Sequence, residues 1–236
     1  MKYDSLPSNW QLFDSASKVA QKTVEAVCEV AKESIERNGA FHFVTAGGTT
    51  PLEVYSLLAK LENSPDGKMI DWSKWHIYMG DERCLPANDP ERNSLALYET
   101  WLKHSRIPQN QIHYMPAELG AKKAAQAYEE IVSGVVFDVV MLGMGEDGHT
   151  ASLFPGHSHE AEASQLVQTE FDSPKPPAER VTLSAQCLGN SRYLFKIVTG
   201  AGKKEAVKQW LSGMDLPIAT VRGEQTTIFI SEDSLP

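Results

Sequence analysis

Between Ala40 and Gly80 the chain reads strand, turn, helix, strand, in the order "AFHFVTA", "GGTTP", "LEVYSLLAKL" and "KWHIYMG". Two strands joined through a helix run parallel, because the crossover brings the chain back to the end of the sheet where it began. Parallel strands need apolar cover on both faces, which sets the architecture of everything around them. The same alternation continues along the chain. "DSASKVAQKTVEAVCEVAKESIERNG" predicts an amphipathic helix with Asp14 or Ser15 as N-cap, apolar positions at Ala16, Ala20, Val24, Val27, Ala31 and Ile35, and Gly39 as its stop. "LALYETWL" and "KKAAQAYEEIV" read as helices, and "FDVVML", "RVTLS", "RYLFKIVTG" and "TIFI" as strands. The expectation is an α/β fold with a single-domain, doubly wound, mostly parallel sheet and helices on both faces, Rossmann-like, over residues 1–236.

Composition narrows the function classes. The 236 residues are 42% hydrophobic and 22% charged, enough for a sizeable core in one domain. A net charge of −9 repels nucleic acid and anionic membranes, so neither is expected as a partner, and an anionic substrate needs a local basic cluster. Cys28, Cys84 and Cys187 are odd in number and lack C-x-x-C spacing, which suits reduced thiols. The N-terminal "MKYDSLPSNWQLFDSASK" has no apolar signal core and no run approaches membrane-spanning length, so a cytoplasmic protein is expected. There is no internal repeat, and the proline-rich "FDSPKPPAER" reads as a surface loop rather than a domain linker.

In an open parallel sheet, ligands bind at the carboxyl ends of the strands. Five strand-linked segments hold unusual residues there. In "TAGGTTP", Gly47 and Gly48 permit close backbone approach, and the free N–H groups of the following helix with the hydroxyls of Thr49 and Thr50 make an anion cradle; an ordinary capped turn is the plain alternative. In "GDERCLP", Asp81 and Glu82 read as a solvated face, whereas Arg83, between a strand end and a proline, is more suggestive. Arg180 opens "RVTLS", and Lys203 lies in "VTGAGKKEA", which is no Walker A loop because Ile197 stands where its first glycine belongs. Arg180 and Lys203 together are candidates for the local positive charge that the acidic whole lacks.

The fifth segment, "LGMGEDGHTASLFPG", leaves the buried strand "FDVVML". Gly143, Gly145 and Gly148 spell G-x-G-x-x-G, with Glu170 where a ribose-binding acid would stand. A dinucleotide site also needs a long helix next, and Pro155-Gly156 cuts any helix short, while Glu146 and Asp147 would face the pyrophosphate. No dinucleotide is therefore expected. His149, at a strand end in a polar loop, is a candidate general base near neutral pH. His157 and His159 lack a third ligand at metal-binding spacing, so no metal is expected either.

"VTAGGTTP", "YMGDERCLP", "VVMLGMGEDGHTASLFPG", "RVTLS" and "VTGAGKKEA", in this order and over nearly the whole chain, resemble the 6-phosphogluconolactonase family, whose fold is shared with the glucosamine-6-phosphate isomerases/deaminases. The isomerases typically carry Asn at the position of Asp147 and an aromatic residue at that of Arg83, so "DGHTASLFPG" and "DER" fall on the lactonase side. Thr49 stands where the family often has serine, and the hydroxyl is kept. The resemblance implies cofactor-free hydrolysis of 6-phospho-D-glucono-1,5-lactone in the oxidative pentose phosphate route. It implies phosphate on the Gly47–Thr50 turn, Arg180 and Lys203, with His149 as base, Asp147 as its orienting partner, and Arg83 or backbone N–H groups at the oxyanion. Asp81 is carried as a substrate-binding carboxylate. The alternatives are an amino-sugar-phosphate isomerase/deaminase, in which Asp81 would move a proton between carbons, and a non-catalytic sugar-phosphate sensor. A sensor would call for a DNA-binding segment, for which the acidic chain has no basic helix.

Overall fold

A four-residue strand, β1 (Trp10–Phe13), runs into α1 (Ala16–Asn38), which starts and stops where its sequence dictates. The Ser15 hydroxyl accepts from Lys18 N at 3.4 Å, and Gly39, at φ 77°, donates its N–H to the Ile35 carbonyl at 2.9 Å. Val19, Ala20, Val24, Val27, Val30 and Ala31 recur every three or four residues and are buried against the sheet. The structure, a computed structural model, describes residues 6–157 and 165–236. After α1 come β2 (Phe41–Thr45), α2 (Thr49–Glu62), β3 (Trp75–Met79), β4 (Asp81–Arg83), α3 (Asn93–Thr100), β5 (Ile112–His113) and α4 (Ala121–Val132). The second half holds β6 (Phe137–Gly143), β7 (Val167–Glu170), β8 (Arg180–Leu183), α5 (Ala185–Gly189), β9 (Ser191–Val198), α6 (Lys204–Leu211), α7 (Pro217–Thr220) and β10 (Gln225–Ser231).

Seven strands form a parallel sheet in the order β1-β10-β9-β6-β2-β3-β5. The expected α/β architecture is therefore present. From β2 the chain builds outward through β3 to β5, and from β6 it builds the other way through β9 to β10. The order reverses between β2 and β6, so the loops leaving their carboxyl ends part and leave a crevice. Phe137 to Leu142 are all buried, as a central strand covered on both faces requires.

Two expectations need correction. "RVTLS" is a strand, but it belongs to a second, antiparallel sheet in the order β4-β8-β7 rather than to the main one. Asp81 and Glu82 are not a solvated face. They lie in β4, 6% and 0% exposed. Acids are depleted in strands, so three residues reading Asp-Glu-Arg carry no strand pattern of their own. Partners distant in sequence hold them in place: Glu82 accepts from Arg83 N, Asn93 N and Ser94 N at 2.7, 2.9 and 2.8 Å and pairs with the Arg92 guanidinium at 3.1 Å. This carboxylate caps α3, whose own N-cap residue supplies no side-chain bond. The strands β1, β5 and β7, absent from the sequence reading, are two to four residues long, and their pairing decides them. Among the described residues no helix is long and apolar enough to cross a membrane.

On one face of the sheet, His42, His76 and His113 form a column across β2, β3 and β5, with ring centroids 4.8 and 5.8 Å apart. Burial, and then the neighbouring imidazoles, push His76 down to about 4; His42 and His113 are lowered by burial as well. In the unfolded chain these rings take a proton near 6.5. Their contribution to stability is complete above that value and is lost as pH falls towards 4. The urea midpoint should therefore drop between pH 7 and pH 4.5, and His76→Gln should shrink that drop relative to the wild type; an equal drop in both would remove the column from the acid response.

Candidate active site

A cleft of about 280 Å³ opens at the carboxyl ends of β2, β6 and β9, at the point where the strand order reverses. Gly47, Gly48, Thr49, Thr50, Asp81, Arg83, His149, Arg180 and Lys203 all line it. Asp147 does not line the cleft but holds His149 from behind.

The loop after β6 folds back on itself. Gly145 N donates to the His149 carbonyl at 2.8 Å, Gly148 N to the Gly145 carbonyl at 3.1 Å, and Thr150 Oγ1 to the Gly143 carbonyl at 2.8 Å. His149 Nδ1 lies 2.5 Å from Asp147 Oδ1, which also accepts His149 N at 3.1 Å. A carboxylate facing Nδ1 makes that nitrogen the donor, so that whenever the ring is neutral its lone pair is on Nε2. Burial alone would raise the Asp147 carboxyl, but the hydrogen bonds and charge of His149 outweigh it and hold it at about 2. Asp147 is therefore an ionised carboxylate held against the Nδ1 of His149.

The glycines of this loop make room for protein rather than ligand. A Cβ on Gly145 would lie 2.0 Å from His149 Nδ1 and 2.6 Å from Asp147 Oδ1, so only glycine lets the two side chains meet. Gly148, at φ 84°, would put a Cβ 2.7 Å from Leu216 Cδ1. No helix follows β6 as far as His157, as the dinucleotide fold would demand. His157 Nδ1 lies 2.9 Å from Glu170 Oε2, so the acid noted as a possible ribose ligand pairs with a histidine instead. His159 lies outside the described residues.

The opposite wall is built from long-range contacts. Asp81 Oδ2 accepts from Ser152 Oγ at 2.7 Å and Oδ1 from Asn93 Nδ2 at 3.2 Å; burial raises the Asp81 carboxyl, against the pull of Ser152 and Arg180. Gly47 leaves its space to Asn93, whose Oδ1 would be 2.3 Å from a Cβ there. Arg83 donates Nη1 to the Glu91 carbonyl at 2.7 Å, while its buried Nε has no protein partner among the described residues. Arg180 is 5% exposed, lies over the Phe154 ring at 5.6 Å, and donates to the carbonyls of Pro177 at 3.2 Å and Lys175 at 2.9 Å. Across the cleft, α2 follows its N-cap Gly48 with no side-chain cap among the described residues, and Gly48, Thr49 and Thr50 line the cavity at this helix start. The Thr50 hydroxyl is not free: it shares a 2.6 Å bond with Thr199. Burial lowers Lys203, which stands near Glu146.

Sequence reasoning missed Asn93, Lys175, Thr199 and Ser152. Asn93 lies in the polar stretch Asn88 to Ser94 and Lys175 in the proline loop, but neither segment says which wall it faces. Lys175 also approaches Glu146, at 4.0 Å.

Residues 14–230 match the family described as glucosamine-6-phosphate isomerases/6-phosphogluconolactonase. The chain belongs to this family. It is 35% identical over 242 residues to the 6-phosphogluconolactonase of Mycobacterium tuberculosis, covering 95% of this chain and 96% of that protein. It is also 35% identical over 216 residues to a probable chloroplastic 6-phosphogluconolactonase of Oryza sativa, covering 85% of this chain but only 65% of the longer plant protein. The crystal structure of the Thermotoga maritima 6-phosphogluconolactonase superposes with a TM-score of 0.84 at 30% identity over 94% of this chain and 99% of that one. A monomeric glucosamine-6-phosphate deaminase, at 19% identity and a TM-score of 0.82 over 96% of this chain and 98% of that one, shares the fold. The lactonase and the deaminase thus share this fold.

Gly145→Ala should lose the Asp147–His149 bond and about 1 to 3 kcal/mol of stability through overpacking. Gly143→Ala, where a Cβ meets nothing closer than 3.7 Å, should keep the bond. The His149 ring signals in NMR report which variant retains it; unchanged signals in Gly145→Ala would disprove the steric account.

Proposed function

We propose that the chain hydrolyses 6-phospho-D-glucono-1,5-lactone to 6-phosphogluconate. The observation that carries this reading is the 2.5 Å contact between His149 and Asp147 in a cleft that also holds Arg180 and Lys203. The 35% identity to a full-length relative named 6-phosphogluconolactonase supports it. His149 Nε2 takes a proton from a water as the water oxygen attacks the lactone carbonyl carbon. Asp147 stabilises the imidazolium so formed. The tetrahedral intermediate collapses with cleavage of the bond to the ring oxygen, and His149 returns the proton to that oxygen. Arg83, with a buried Nε that no described protein group occupies, is the donor for the oxyanion. The phosphate rests on the first-turn N–H groups of α2, on Arg180 and on Lys203. Gly47 and Gly48 shape this cradle, Thr49 adds a hydroxyl to it, and Thr50 is held by Thr199. Asp81, fixed by Ser152 and Asn93, accepts from sugar hydroxyls. No step calls for a cofactor.

The second reading is amino-sugar-phosphate isomerisation or deamination, which the buried Asp81 carboxylate on the cleft lining favours, since burial raises it. Acid release from fresh lactone against turnover of glucosamine 6-phosphate separates the two; turnover of the amino sugar alone would overturn the lactonase reading.

His149→Gln should keep the fold and lower lactonase kcat by about 10² to 10⁴ after subtraction of spontaneous hydrolysis. A near-native rate would exclude His149 as the base. Lys203→Ala should weaken 6-phosphogluconate binding by about 1.5 to 3 kcal/mol and affect unphosphorylated gluconolactone far less. Arg180→Ala should do the same and also release the Lys175–Pro177 carbonyls, which makes Lys203 the cleaner test.

A further inference from the structure

Lys196 is the one lysine among the buried polar and charged side chains of the described residues, 1% exposed in the middle of β9. It is paired in register with Leu142 of β6 and Ile228 of β10, where the fold calls for an apolar side chain. No described carboxylate bridges it. Its ammonium lies over the Trp210 ring at 5.1 Å and donates at 2.5 Å to the carbonyl of Ile218. Burial, with the charge of Arg222, pushes Lys196 down to about 7. A buried charge held by so few partners is a poor way to stabilise a core, and an apolar side chain of like volume is often equal or better.

What the ammonium holds explains its place. Helix α7 has four residues, too few to stand alone. Its Ile218 N–H donates to the carbonyl of Gly148 at 3.1 Å, and the Leu216 side chain fills the space where a Cβ on Gly148 would lie. Gly148 precedes His149. The links run from Lys196 Nζ to the Ile218 carbonyl, from the Ile218 N–H to the Gly148 carbonyl, and from there to the imidazole.

We propose that Lys196 is a positioning residue for His149, acting through α7, in a role that rests on His149 being the base. Removing the donor leaves the Ile218 carbonyl buried without a partner, and α7 loses the contact that fixes its depth behind the catalytic loop. A displacement of about 1 Å at a reacting group lowers turnover by up to about 10²-fold, while phosphate binding on α2, Arg180 and Lys203 is untouched.

Lys196→Met removes the donor, and Lys196→Gln keeps a neutral one. The expected result is a folded Met variant with lactonase kcat lowered about tenfold or more and KM within about twofold, partial recovery of kcat in the Gln variant, shifted His149 ring signals, and faster amide exchange at Ile218. A folded Met variant with native kcat and unmoved His149 signals overturns the proposal. So does a loss of kcat that only follows the folded fraction while the signals stay native. If Lys196→Met does not fold, Lys196→Gln and Leu216→Ala are read the same way, and unmoved His149 signals in both overturn it. The NMR arm needs no substrate. A wild-type chain without lactonase activity therefore defeats the proposed function, whereas the His149 and Ile218 signals decide the positioning role separately.

Discussion

The two halves of the main sheet are joined by the pairing of β2 with β6, through Phe43 opposite Val139 and Val44 opposite Val140. The cleft opens beside that seam, where the strand order reverses. The turn after β2 supplies the open N-terminus of α2, and the turn after β6 supplies His149. A sheet that kept one direction would have set these loops side by side and filled the gap. The cleft is thus a consequence of topology before it is a consequence of any side chain.

Most of the main sheet was legible in the sequence, because its signals are local. Ser15 and Gly39 mark the ends of α1 within the helix's own sequence, and the run Phe137 to Leu142 needs no partner to declare itself buried. The place of His149 on the cleft was legible for the same reason: a polar loop straight after an apolar strand lies at the strand's carboxyl end. Asp81 and Glu82 were not, since their burial depends on Ser152, Asn93 and Arg92, up to 71 positions away. Charge pattern speaks for water when the partners are out of view. The role of Gly145 was likewise hidden. A glycine announces freedom of the backbone, and only the structure shows that the space it leaves is taken by an imidazole.

The electrostatics resolve a tension in the composition. A chain of net charge −9 is an unpromising host for a phosphorylated ligand. Three acids at or beside the cleft are tied into internal bonds, Asp147 to His149, Asp81 to Ser152 and Asn93, and Glu82 to α3, while Glu146 on the lining stands 4.0 Å from Lys175. Their charge is spent on neighbours at short range, while Arg180 and Lys203 look into the cavity. On the lining, Arg83, Lys175, Arg180 and Lys203 outnumber Asp81 and Glu146, so the formal charge of the cleft is opposite in sign to that of the chain, and low-dielectric walls make the local charge count.

The capping of α3 has a consequence of its own. A helix ordinarily carries its stop and start signals with it, so it can fray without disturbing its surroundings. Here the carboxylate that satisfies the first amides of α3 comes from Glu82, in a strand of the other sheet, and the first residue of the helix, Asn93, reaches back to Asp81 in that same strand. Helix end and cleft wall are tied by the same hydrogen bonds. The rim of the cleft thus inherits the rigidity of the core through a buried acid that is not on the cleft lining.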